Sequence, residues 1–362
     1  MFKKIYKYGE REAFCLYRDG ITQKHELKDL FWECTLNCNL RCKHCGSFAG
    51  NKRLPDELTT EEIKTAFQKI ARGCDPGKIL INVTGGEPLM RPDLCDVMGY
   101  AANELGFHWG MTTNGMLLTE NNIQKLKEAG LATVAVSIDG MPQTHDAFRG
   151  CEGSYKTVVE NIARLRDAGF LRHLQVSTVF HKSNIDELEP LYNKINKLRI
   201  NSWRLITVDP IGRAEQNADI LLSGPEIKRI LDFIKAKNKL NGVRLQYGCP
   251  GYLGLEYENE VRSNYFFCRT GINVASILYN GDLFVCPDVP RHPDLIQGNI
   301  KTDDFWDVWN NGYRVFRDPL RSSCEECLAC DSWKYCLGGA YHTWDYINGK
   351  QKKCTYKMIN DK

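Results

Sequence analysis

The chain has 362 residues, 43% hydrophobic and 26% charged, the balance of a globular protein with room for one large α/β domain and a smaller module. Its 48 basic and 45 acidic residues leave a net charge of +3, which gives no electrostatic case for a nucleic-acid partner. No apolar run reaches the length of a membrane span and no signal-peptide core follows the N-terminal lysines, so no membrane is expected and the cytoplasm is the expected compartment.

In chain order, residues 1–29 read as an N-terminal extension, and Leu30-Phe31-Trp32-Glu33 as a strand running into a cysteine-rich stretch. Thr59-Thr60-Glu61-Glu62 has the form of a capping box opening a helix, with apolar residues following at helical spacing. Ile79 to Thr84 predicts a strand that ends in Gly85-Gly86-Glu87-Pro88. Further strands are predicted at His108 to Thr113, Thr133 to Ile138, Leu174 to Phe180 and Trp203 to Val208, with helices such as Asn121 to Ala129 and Tyr155 to Ala168 between them. Strands alternating with helices indicate parallel βαβ units. About six units are too few to close an eight-stranded barrel, so the expected fold is α/β, a partial (β/α)6 TIM-like barrel over 30–245 with its chemistry at the C-terminal strand ends. The basic run Lys228, Arg229, Lys235, Lys237, Lys239 reads as a solvated helix face. From 246 to 362 the pattern fades into a small segment rich in Cys, Gly and aromatics, poor in regular core, for which metal is the available staple.

Sixteen cysteines in a reducing compartment point to metal rather than disulfides. Cys38, Cys42 and Cys45 follow the first strand with Cys-x3-Cys-x2-Cys spacing. Three thiolates on a tight loop can hold three irons of a [4Fe–4S] cube and leave the fourth open; a structural zinc would need four closed ligands, with His44 or Cys34 as the fourth. Gly85 and Gly86 allow a close backbone approach, and Glu87 or a carbonyl there could accept hydrogen bonds from an ammonium group.

The cysteine triad followed by Gly85-Gly86-Glu87-Pro88 resembles the radical S-adenosylmethionine superfamily, whose fold is a (β/α)6 partial barrel. The resemblance implies that the open iron chelates S-adenosylmethionine and that Gly85, Gly86, Glu87 and Pro88 lie along it. Thr112-Thr113-Asn114-Gly115 and Val136-Ser137-Ile138-Asp139-Gly140 look like the family's third and fourth strand ends, where Ser137 and Asp139 would contact ribose and methionine. His145 to Gly150, with Arg149, and Pro210 to Ala214, with Arg213, also match family habits. His44 stands where the family usually has an aromatic residue that packs on adenine.

Near the C-terminus Cys268, Gly281 and Cys286 are followed by Cys324, Cys327, Cys330, Cys336 and Cys354. This run resembles the SPASM domain, which holds two auxiliary [4Fe–4S] clusters. By that resemblance Cys327, Cys330, Cys336 and Cys354 hold the outer cluster, and Cys268 and Cys286 belong to the inner one. Ala340 stands where the family has a further cysteine; Cys324 is the expected replacement, Cys249 the alternative, and an open iron or an empty site a third. Cys15, Cys34, Cys74, Cys95 and Cys151 lack cluster spacing and read as small buried hydrophobes.

The resemblance implies reductive cleavage of S-adenosylmethionine to a 5′-deoxyadenosyl radical, which abstracts hydrogen from a substrate, most often a peptide or protein side chain. A small alcohol or carbohydrate dehydrogenase and an anaerobic sulfatase maturase are the alternatives. Asp288, two residues after Cys286, is the expected proton acceptor, and a flavodoxin- or ferredoxin-type protein the expected electron donor. The 33 residues before Cys34 are too few for a leader-binding domain of the kind many peptide-modifying relatives carry.

Overall fold

A computed structural model describes residues 2–249 and 251–360. A long helix, α1 (Phe2–Lys24), precedes strand β1 (Asp29–Glu33). Helix and strand then alternate: α2 (Thr60–Arg72), β2 (Leu80–Thr84), α3 (Leu94–Gly99), β3 (His108–Thr113), α4 (Glu120–Glu128) and β4 (Thr133–Ser137). Two helices, α5 (Pro142–Arg149) and α6 (Ser154–Asp167), precede β5 (His173–Phe180), followed by α7 (Leu188–Lys197), β6 (Ser202–Thr207), α8 (Gly224–Lys237) and β7 (Arg244–Tyr247). Strands β1 to β7 pair in sequence order and in parallel, the open partial barrel that six βα units predict. Along β4, β5 and β6 buried residues alternate with half-buried ones. Trp203 and Leu205 pack into the apolar core, while Arg204 and Ile206 take the other face.

The capping box forms as its residues predict. The Thr59 hydroxyl accepts from the Glu62 amide at 3.2 Å and Glu62 accepts from the Thr59 amide at 2.8 Å, closing the first turn of α2. On α8 the basic run leans outward: Arg229 pairs with Asp186 and Lys237 with Glu189. Among the described residues no helix is long and apolar enough to cross a membrane.

Three features go beyond the sequence reading, and the second corrects it. First, β7 extends the sheet past β6, and β8 (Val274–Ile277) joins its other side, in parallel with β1. β9 (Asp282–Phe284) and β10 (Gly298–Asn299) follow in antiparallel fashion, so one ten-stranded sheet runs through barrel and C-terminal segment. Second, the C-terminal segment has an apolar core. Tyr257, Phe284, Trp309, Tyr313, Phe316 and Tyr341 are buried in the same contiguous core as the barrel. Periodicity misses them because they sit in turns and short helices or, for Phe284, at the end of the three-residue strand β9. Third, the N-terminal extension is α1, and it lies on the C-terminal segment. Lys7 pairs with Glu260 at 2.7 Å, Arg11 donates to the Tyr252 hydroxyl at 3.1 Å and Arg18 to the Lys334 carbonyl at 2.8 Å.

Of the five cysteines without cluster spacing, Cys15 and Cys34 are buried as expected, whereas Cys74, Cys95 and Cys151 are only half-buried.

Candidate active site

The loop bearing Cys38, Cys42 and Cys45 leaves β1 and is bound on both sides by strand ends. From β2 the Gly86 amide donates to the Thr35 carbonyl at 2.7 Å and the Glu87 amide to the Asn37 carbonyl at 2.9 Å. A Cβ at Gly85 would lie 2.2 Å from the Thr35 oxygen, and one at Gly86 2.3 Å from the Asn37 oxygen. The close approach expected toward a ligand is thus made to the cysteine loop itself. The Glu87 carboxylate is also turned inward: it is fully buried and accepts from the Thr113 hydroxyl at 2.7 Å and the Asn114 amide at 2.8 Å. Burial raises its pKa, and those donors oppose the rise. Its carboxylate ties β2 to β3. Pro88, buried behind it, opens a 3-10 turn.

From β6 the Arg213 side chain donates to the Cys42 carbonyl at 2.8 Å and the Ala49 carbonyl at 3.1 Å, and its amide to the Cys45 carbonyl at 3.0 Å. Gly212 has φ +57°, and a Cβ there would lie 2.4 Å from the Cys45 oxygen. The thiols receive donors as well: the Leu40 amide is 3.4 Å from Cys38 Sγ and Arg149 Nη1 is 3.5 Å from Cys42 Sγ. Burial pushes the Cys38 thiol up to about 11. It also raises Cys42, against the pull of Arg149.

Asp139 is fully buried, 2.5 Å from Arg149 Nη2, and accepts from the Val179 amide at 2.8 Å. Burial would raise its pKa, but Arg149 and the nearby His44 and His145 outweigh that and lower it. It holds Arg149 against Cys42. Ser137 lies half-buried at the end of β4. The His44 ring lies parallel to Phe148, with centroids 4.5 Å apart, and Phe148 stacks on His181 at 3.8 Å. One face of His44 is therefore taken by Phe148 and not available to adenine. Burial lowers His44 to about 3 and His181 to about 4, leaving both neutral at pH 7. The sequence carried Phe148 only as part of a motif and did not single out His181.

Around these thiols Asn37 Oδ1, His44 Nδ1, Arg149 Nε and His181 Nε2 are buried without hydrogen-bond partners among the described residues, an arrangement rare without a ligand or water to meet it. S-adenosylmethionine, with its ammonium, carboxylate, ribose hydroxyls and adenine nitrogens, offers donors and acceptors for all four. The residues present fit a cluster on Cys38, Cys42 and Cys45 with that cofactor beside it.

The C-terminal thiols form two groups. Cys336 feels the charges of Cys354, Cys327 and Cys330, and burial raises it to about 12. Cys324 acts electrostatically on Cys327 in this group. The inner group is Cys249, Cys268 and Cys286: Cys286 feels Asp288, Cys268 and Cys249, and burial raises it well above the ordinary thiol value. Burial likewise raises Cys249 to about 11, whereas at Cys268 Arg321 and Thr270 outweigh burial and lower the thiol. Strand β7, which the fading pattern concealed, carries the chain to Cys249. Cys249 emerges just after its C-terminal end, as the earlier motifs emerge from theirs. Asp288 is exposed and acts electrostatically on Cys249, Cys286 and His342. Among the described residues no three His, Cys, Asp or Glu side chains close on a single metal ion; a cube, taking one thiolate per iron, asks for a wider spacing.

Between the two regions lies a buried charged group. Lys353 Nζ donates to Asp209 at 2.7 Å, the Thr207 hydroxyl at 3.0 Å and the Val208 carbonyl at 3.0 Å, and His342 Nε2 lies 3.0 Å from Asp209. Burial works against the Asp209 charge, but Lys353 and His342 hold it well below the usual carboxylate range.

Residues 32–195 match the Radical SAM superfamily, and residues 268–331 match SPASM, an iron-sulfur cluster-binding domain. The AdoMet-dependent heme synthase of Methanosarcina barkeri is 30% identical over 351 residues, covering 90% of this chain and 95% of that protein. The mycofactocin maturase MftC of Mycolicibacterium smegmatis is 31% identical over 342 residues, covering 90% of this chain and 82% of the maturase. Streptococcus suis SuiB bound to S-adenosylmethionine shares the fold with a TM-score of 0.71 at 17% identity, over 92% of this chain and 79% of SuiB. The chain belongs to the radical SAM superfamily, as an enzyme with a SPASM domain that uses [4Fe–4S] clusters and S-adenosylmethionine.

Proposed function

We propose that this enzyme abstracts hydrogen from a side chain of a peptide or protein and oxidises or crosslinks it. The supporting observation is a cavity of about 230 Å³ on the β5–β7 side of the sheet, bordered by Gln175, Arg204, Gln246 and Cys249. Pockets that enclose whole small molecules run from roughly 300 to 1,000 Å³; this one suits a single side chain presented by a larger molecule. Asn264 and Arg269 in its wall are exposed, so the rest of such a substrate would lie outside. The likeness to a mycofactocin maturase supports the same reading. The likeness to a heme synthase favours a tetrapyrrole instead, a substrate larger than this cavity.

When bound, the first cluster supplies the electron that splits S-adenosylmethionine into methionine and a 5′-deoxyadenosyl radical. Arg213, Gly86 and Glu87 hold the cysteine loop over the strand ends, and Asp139 fixes Arg149 against Cys42. Cys249, Cys268 and Cys286 would hold the inner auxiliary cluster and Cys327, Cys330, Cys336 and Cys354 the outer one, positions suited to receive an electron from an oxidised substrate. Asp288, beside the inner thiols, would take the accompanying proton, and a flavodoxin- or ferredoxin-type protein would recharge the first cluster.

The test is anaerobic reconstitution to about eight to twelve irons per chain, followed by measurement of 5′-deoxyadenosine with a peptide library, iron coproporphyrin or a sugar diol. Formation stimulated by peptides is the expected result. Stimulation by the porphyrin or the diol alone would replace the peptide reading.

A further inference from the structure

The cavity beside Cys249 is cationic in a way that the radical chemistry does not require. Arg204 sits in mid-β6 on the face away from Trp203 and Leu205, half-buried. Among the described residues it has no acidic partner. Arg262 enters from the segment after β7, its side chain only 10% exposed. One edge of its guanidinium is engaged: Nη1 donates to the Gly251 carbonyl at 3.1 Å and lies 3.6 Å from Glu258. Glu258 is itself committed, accepting from the Leu253 and Phe266 amides at 2.9 Å each. The other edge, Nε and Nη2, is buried and has no hydrogen-bond partner among the described residues. Tyr247 and Phe266 flank this guanidinium, with ring centroids 5.6 and 5.4 Å from its central carbon, and keep it in place.

Nε and Nη2 of an arginine form the fork that takes both oxygens of a carboxylate. A buried cation with that fork unfilled is costly unless an anion meets it. Both arginines act electrostatically on Cys249, and the acid that reaches the same thiol is Asp288, which is exposed. Arg269, at the rim, lies under the influence of Asp29.

We propose that Arg204 and Arg262 form a carboxylate-binding subsite that anchors the substrate next to the inner cysteine group. The class of substrate is therefore one with an acidic side chain or terminal carboxylate close to the atom that reacts. This rests on the reading of the cavity as a substrate site and deepens it.

The test uses the reconstituted full chain with S-adenosylmethionine, and calorimetric titration of three probes: acetyl-Gly-Glu-Gly-amide, its glutamine counterpart, and glutarate. The glutamate peptide should bind at least about tenfold more tightly than the glutamine peptide, the scale of a charge-assisted hydrogen-bond pair. Arg204→Gln and Arg262→Gln should each abolish that preference, while Arg229→Gln, on the outer face of α8, should keep it. Iron content and melting temperature, measured on every variant, separate loss of the subsite from loss of the fold. Arg204, which carries no ion pair, is the variant expected to fold without difficulty. Glutarate binding as tightly as the peptide would identify a free carboxylate as the ligand; much weaker glutarate binding would identify one carried by a peptide. Equal affinity for the two peptides, or a preference that survives in Arg204→Gln, would overturn the proposal. If the preference holds but no peptide stimulates 5′-deoxyadenosine formation, the peptide reading fails and the carboxylate subsite stands.

Discussion

Around Cys38, Cys42 and Cys45 the protein supplies its own scaffold: Gly86 and Glu87 from β2, Arg149 beyond β4 and Arg213 beyond β6 all bond the cysteine loop. Around Cys327, Cys330, Cys336 and Cys354 the chain offers four-residue helices, Glu325–Leu328 and Trp333–Cys336, and a two-stranded ribbon. The first site is built to keep its shape whatever it holds, because parallel strand ends converge there. The outer site leaves more of its local order to the metal, although the aromatic core beneath it belongs to the barrel's own. A rigid site suits a cluster with an open iron, where a substrate must be placed against one atom. A cluster with four protein ligands needs no such precision.

The largest effect tests the first half of that comparison. Replacing Cys38, Cys42 and Cys45 together by alanine should abolish reductive cleavage of S-adenosylmethionine while retaining the auxiliary iron and a melting temperature near that of the wild type. Cleavage at the wild-type rate would remove the site assignment. A collapse in stability would show that the loop is not held by protein bonds alone.

Next in size is the loss of one cluster. Cys249→Ala should release about four irons or change the resonance spectrum of the inner centre. Cys324→Ala should leave the inner spectrum unchanged, because its thiol acts on Cys327 in the outer group. The reverse pattern would return Cys324 to the inner site.

These assignments mark where sequence reading succeeds and where it stops. β1 to β6, the capping box of α2 and the first cysteine triad were legible because each depends on local signals, namely period, cap and spacing. β7 was not, since Arg244–Tyr247 is only four residues long, and the place of Cys249 at its end was hidden with it. Glu87 and Asp139 were located in sequence, but their direction was not. Nothing in Gly85-Gly86-Glu87-Pro88 says that the carboxylate turns back to Thr113. The pairing of Arg149 with Asp139, and the juxtaposition of Arg204 and Arg262, join residues too far apart in the chain for any spacing rule to connect.

Lys353 joins the two regions compared above, reaching from the C-terminal segment to Asp209 beyond β6, both side chains more than nine-tenths buried. Lys353→Met would leave the Asp209 carboxylate without its cation, and removal of one partner from a buried pair costs about 3–5 kcal/mol. Chemical denaturation should show this loss as a lower midpoint. A change below about 0.5 kcal/mol, the usual range for surface substitutions, would mean that the two regions are held together by their shared apolar core alone.

The smallest effect is the pH dependence of that junction. Burial would lower the His342 pKa, but Asp209 prevails and raises it. A base with a raised folded-state pKa adds stability that is complete below the unfolded value of about 6.5 and is lost as pH rises through the folded value. Asp209, held low, adds stability above the unfolded carboxylate value of about 3.9, lost only as pH falls below it. The junction should therefore be strongest between about pH 4 and pH 6.5 and weaken toward pH 9. His342→Gln removes only the upper limb. The difference in melting temperature between wild type and His342→Gln should be larger at pH 6 than at pH 9. A difference that does not change with pH would mean that His342 is neutral beside Asp209, and that Lys353 alone balances the carboxylate at this join.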